Sequence, residues 1–102
     1  MGYYLNFDNT ESVSLASVTG WGDIRRYAKR LPLSDFGIFV QFVEWGVTQD
    51  LEKLESEAKL LLSTRPPGSK ETSQTLSDFV SAMENRPEKC IIVYVTDGTT
   101  AE

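Results

Sequence analysis

The sequence predicts an α+β domain in which a small sheet, formed by the N- and C-terminal strands, is covered by about four helices. Three observations carry that expectation. Cys90-Ile91-Ile92-Val93-Tyr94-Val95-Thr96 is a run of seven residues without a charge, nearly all of which favour a pleated backbone. Tyr3 to Phe7 alternates, with Tyr3, Leu5 and Phe7 on one side and Tyr4 and Asn6 on the other, as a half-buried strand requires. Between these two runs, apolar residues recur at helical spacing and are punctuated by Pro and Gly. Since the strand-like runs stand at opposite ends of the 102 residues, the fold closes only when the ends meet. One globular domain spanning 1–102 is expected, and a 40% hydrophobic, 11% aromatic composition suits an ordinary core.

After the first strand, Asp8-Asn9-Thr10 is a turn cluster, and Ser12 to Leu15 alternates again through Val13 and Leu15, which suggests a hairpin partner. Thr19 suits an N-cap, Asp23 sits where the helix dipole favours an anion, and Trp21, Ile24, Ala28 and Leu31 share a face. A helix from about Gly20 to Arg30 follows, stopped by Pro32, with Ser34 placed to cap the next element.

Propensity and pattern conflict from Asp35 to Gly46. Phe36, Ile38, Phe39, Val40, Phe42, Val43 and Trp45 are enriched in strands, yet Gly37, Gln41, Glu44 and Thr48 form one polar stripe only on a helix. The helix reading is adopted, and Gly46 fits it as the residue after the last turn. The strand reading would instead add a central member to the sheet. From Thr48 the pattern is plain, since Val47, Leu51, Leu54, Ala58 and Leu61 step by four, three, four and three. This is expected to be the longest helix, with Leu60 and Leu62 widening its stripe toward two neighbours. Glu55 with Lys59 is a favourable pair on it, and Lys53 with Glu57 the weaker reversed order. Ser63 to Ser69, centred on Pro66-Pro67-Gly68, reads as a stiff surface loop. A last helix then begins between Ser69 and Thr72, buries Leu76, Phe79, Val80 and Met83, and ends near Asn85 ahead of Pro87. In the C-terminal strand both faces are apolar, so cover is expected on each.

Composition narrows the chemistry. With no His, Cys/His and Ser/His/Asp nucleophiles are excluded, as are zinc sites other than carboxylate ones. The single Cys90 has no disulfide partner within the chain and reads as a small buried hydrophobe. No catalytic residue, metal ligand set or cofactor is assigned. The absence of a long apolar run and of a basic, apolar N-terminus points to a cytoplasmic protein without a membrane span.

The charge is unevenly placed. Arg25, Arg26, Lys29 and Arg30 hold four of the ten cationic residues within six positions, so that with a net charge of −5 the rest of the chain carries −9. Like charges one helical turn apart repel until an anion relieves them. The plain reading is a solvated outer face favoured by the helix dipole. The functional reading is a docking face for an acidic protein, a second copy included, with Trp21 and Tyr27 as flanking rings. The acidic total disfavours nucleic acid, whose bases those rings could stack on. Trp21-Gly22 and Trp45-Gly46 each set a ring beside a flexible residue, and core packing is the preferred reading of both.

Two rivals remain. An acidic inhibitor or immunity-type protein would use Asp50, Glu52, Glu55 and Glu57 to block a basic cleft or imitate nucleic acid. A small enzyme would use Asp97. Thr96-Asp97-Gly98-Thr99, after an apolar strand, resembles part of the phosphatase motif of the haloacid dehalogenase family. That motif has a nucleophilic Asp two positions earlier, where this chain has Val95. The string is therefore read as a turn.

Overall fold

Alternation sets the sheet. Strand β1 (Tyr3–Asp8) buries Leu5 and Phe7 on one face and carries Tyr4 and Asn6 on the other. It lies between β2 (Val13–Val18) and β4 (Ile92–Asp97), antiparallel to both, with Leu5 opposite Ala16 and Val95. The chain ends thus meet in neighbouring central strands. A two-residue strand, β3 (Val47–Thr48), pairs with the other edge of β4 and completes the order β2-β1-β4-β3. The computed structural model describes residues 3–8, 13–18 and 20–97. The turns expected at Asp8-Asn9-Thr10 and Asp97-Gly98-Thr99 and the cap expected at Thr19 lie wholly or partly outside them.

Helix α1 (Trp21–Ala28) ends two residues before its expected limit at Arg30. Lys29 and Arg30 instead form a tight turn, in which the Arg30 N–H donates to the Tyr27 carbonyl and the Leu31 N–H to that of Ala28, both at 3.1 Å. Pro32 disfavours helical backbone at Leu31, and the turn drops that side chain into the core. At the other end Gly20 stands at φ 83, where an added Cβ would come within 2.9 Å of the Thr75 hydroxyl. Only a residue without a side chain permits both the left-handed backbone and that approach.

Helix α2 (Leu33–Trp45) confirms the helical pattern over the strand propensity. Phe36, Phe39, Phe42 and Val43 are buried while Gln41 and Glu44 face out. Gly46 ends it in the left-handed region, its N–H on the Phe42 carbonyl at 2.6 Å. Pro32 rather than Ser34 holds the N-cap position, and the helix breaks at Phe36 (φ −130, ψ 30). Beyond this break a buried carboxylate stands in for a cap: Glu57 accepts the Phe39 N–H at 2.8 Å. The expected Lys53–Glu57 pairing gives way to that inward turn.

Val47 and Thr48 belong to the sheet, not to the helix expected from Thr48. The left-handed Gly46 turns the chain back onto β4, whose Val95 N–H donates to the Gly46 carbonyl at 2.8 Å, and two β-branched residues suit the pairing. Helix α3 (Leu51–Thr64) then buries Leu51, Leu54, Ala58 and Leu61 against both α2 and α4 (Lys70–Glu84). At 15 residues α4 exceeds the 14 of α3, which was expected to be the longest. Ser69 caps α4 by accepting the Thr72 N–H and donating to the Glu71 carboxylate. Its stripe of Leu76, Phe79, Val80 and Met83 is buried as expected.

The helices meet over an aromatic cluster. Phe79 lies 5.3 Å from Trp21, 5.9 Å from Phe42 and 6.0 Å from Phe39, ring centre to ring centre. Leu5, Phe7 and Val93 close this core from the sheet. The expectation of cover on both faces of β4 is corrected here. Helices pack only on the Val93 side, and the opposite face, with Tyr4, Ile92, Tyr94 and Thr96, is left partly open. Antiparallel sheets tolerate this when polar groups share the open side, and there Asn6 donates to the Thr96 hydroxyl at 3.0 Å and to the Tyr94 carbonyl at 3.2 Å.

An ion network ties α3 to the end of α4. Glu55 accepts from Arg86 and from Lys59, the latter at 2.9 Å, and Lys59 also reaches Glu84 at 3.1 Å. Arg86 first, then Lys59, hold the Glu55 carboxyl below its ordinary value. The group's stabilisation is therefore present above that ordinary value and is lost as pH falls through the lowered one. Glu55→Gln should reduce stability near neutral pH by at most about 1 kcal/mol, since water screens the network. The deficit should shrink in acid, as the Glu55 carboxyl takes up a proton and loses its charge. Urea midpoints at about pH 7 and about pH 3 test this.

Candidate functional site

The cations of residues 25–30 fall into two pairs: Arg25 and Arg26 stand on the last turn of α1, and Lys29 and Arg30, in the turn that follows, each extend one of them. Arg25 and Lys29 look toward α2. With Ala28, Val40, Val43 and Glu44 they line a hollow of about 210 Å³ between the two helices. An adjoining hollow of about 260 Å³ shares Arg25, Val43 and Glu44 and is bounded by Trp45. The second pair, Arg26 and Arg30, borders a separate hollow beside Pro67 and Gly68. There Arg26 is ion-paired with Asp23, and the Tyr27 hydroxyl donates to the Arg65 carbonyl. Arg25, Lys29 and Arg30 have no carboxylate within ion-pairing distance among the described residues.

The six residues expected to bind thus divide. Arg25 and Lys29 share one groove, Arg26 and Arg30 another surface, and Tyr27 is half-buried and tethered to the 65–69 loop. Trp21 is only 2% exposed and sits at the centre of the core, so it offers no face for stacking on a partner. Trp45 reverses the core reading given to it, being 70% exposed at the end of the Arg25 groove. A signal for this was present in the sequence. Trp45 lies four residues after Gln41, on the polar side of α2.

Elsewhere the structure gives few reactive groups. Cys90 is half-buried, its thiol donating to the Ile92 carbonyl at 3.3 Å. Among the described residues no group of three His, Cys, Asp or Glu could hold a metal ion, and no helix is long and apolar enough to cross a membrane. Compared with family models, curated proteins and solved structures, the chain matches none. No role is carried over from a relative, and the site rests on its own geometry.

Proposed function

We propose that this protein is a small cytoplasmic, non-catalytic binding module that docks an acidic partner protein through the Arg25 and Lys29 side of α1, with Trp45 at its margin and Arg30 on the neighbouring surface. The observation that carries the reading is a pair of cations, Arg25 and Lys29, outside ion-pairing distance of any carboxylate among the described residues and close to a large exposed ring. In a chain of net charge −5, such cations attract an acidic surface locally while the remainder repels it, which favours one docking orientation. A tryptophan at the edge supplies contact area that charge alone does not.

The inhibitor reading draws less support. Of its four acids, Glu57 is buried on the Phe39 N–H and Glu55 is bound by Arg86 and Lys59, which leaves Asp50 and Glu52.

Changing Arg25, Lys29 and Arg30 together to Glu tests the proposal. All three side chains are exposed, so the thermal midpoint should stay within a few degrees, roughly what surface changes of about 0.5 kcal/mol produce. Capture of an acidic protein from source lysate, its identity read by mass spectrometry, should be lost. Unaltered capture by the triple variant would refute the docking role.

A further inference from the structure

The groove itself specifies what kind of acidic surface fits it. One wall is Arg25 and Ala28 of α1 with Lys29 at its C-cap, and the other is Val40, Val43 and Glu44, one turn of an α2 stripe. The floor is apolar, since Ala28 and Val43 are buried and Val40 half-buried. The two cations stand on one wall, four residues apart, and a carboxylate, that of Glu44, stands on the other. We infer that the α1–α2 groove takes an amphipathic, acidic helix of the partner, with carboxylates four residues apart facing Arg25 and Lys29 and an aliphatic side chain on the Val40 floor. This rests on the docking reading above and makes it specific.

Charge complementarity selects this occupant. Carboxylates at i and i+4 on a helix rise by about 6 Å and share one face, as Arg25 on α1 and Lys29 at its C-cap share one side of the groove, so one acidic row can meet both cations. A basic segment would meet the two cations. A purely apolar one would leave them desolvated without partners, which is costly. Glu44 repels the acidic row from the α2 wall and so fixes which side of the incoming helix faces α1. Trp45 then closes the end of the groove over the aliphatic contact. Binding of this kind is a helix-in-groove mode, with affinity from the apolar seat and orientation from the charges.

The probe is a synthetic, fluorescein-labelled amphipathic peptide of about four turns with a leucine stripe flanked by glutamates at i and i+4, titrated with the full chain and read by anisotropy. A version with lysine for each glutamate serves as control. The acidic peptide should bind and the basic one should not. Arg25→Glu with Lys29→Glu should weaken binding by at least about tenfold, and Val40→Gln and Trp45→Ala by several-fold each. Glu44→Gln, which removes the repelling carboxylate, should tighten it, a gain that misfolding cannot imitate. If the double reversal abolishes binding while Val40→Gln, Trp45→Ala and Glu44→Gln leave it unchanged, the groove assignment is overturned and docking by charge stands. Binding that ignores the double reversal overturns both. If the peptide fails to bind while lysate capture still depends on Arg25 and Lys29, the helix assignment alone is refuted.

Discussion

Phe79→Ala should destabilise the protein by about 4 kcal/mol, more than any other single substitution considered in this chain. The ring is fully buried and touches three others, Trp21 from α1 and Phe39 and Phe42 from α2, so truncation removes the part that joins three helices. The loss combines the transfer of the ring, edge-to-face contacts with its neighbours, and a cavity that rigid helices on three sides cannot collapse. A domain of this size has a total stability on the order of 5–10 kcal/mol, so the variant should keep only about 1–6 kcal/mol and unfold at a clearly lower temperature. Phe79→Leu should retain more than half of the stability lost on truncation. Urea unfolding followed by tryptophan fluorescence measures both, since Trp21 reports on the same cluster. A loss below about 1 kcal/mol for the alanine variant would show that the aromatic cluster is not the centre of the core.

Glu57→Ala should have the next largest effect, about 2–3 kcal/mol, because this charged helical residue is buried and bonded rather than solvated. The break at Phe36 makes residues 37–45 a new helix start, whose first N–H groups lack intrahelical acceptors. Glu57 reaches across from α3 to take the Phe39 N–H, and its negative charge also suits the positive end of that segment. Removing it leaves a buried N–H without a partner and an empty site between two helices. Glu57→Gln, which keeps an acceptor oxygen, should cost less than about 1 kcal/mol. Equal losses for the two substitutions would show that the acceptor contributes nothing and that packing alone matters.

Much of this architecture was legible because local and tertiary demands agree. Leu76, Phe79, Val80 and Met83 fall on one face by spacing alone, and the capping chemistry of Ser69 lies within three residues. The meeting of β1 with β4 was legible from two strand-like runs at opposite ends of the chain. Other features depend on contacts distant in sequence. Val47 and Thr48 continue the helical spacing of α3, and only the left-handed turn at Gly46 diverts them into the sheet. Glu57 reads as an exposed partner for Lys53, because its acceptor role exists only once a break 21 residues earlier faces it. At the candidate site, the cluster of cations was visible but its division into two surfaces was not. That division follows from where α2 and the 65–69 loop lie against α1. Trp45 reads as core because a large ring is highly buried on average, and only its position four residues after Gln41 points outward.

That borrowed acceptor also imposes an order of events. Trp45 precedes Glu57 by twelve positions, so during synthesis the segment Ile38–Trp45, rich in strand-favouring residues, emerges before the group that secures its helical start. Until α3 arrives, nothing restrains that segment from pairing as an extended chain with its neighbours. In the mature protein the same linkage makes the Phe39 amide a reporter on another element. Its hydrogen exchanges when α3 lifts away, so its rate should track the Leu54 and Leu61 amides and not those of α1.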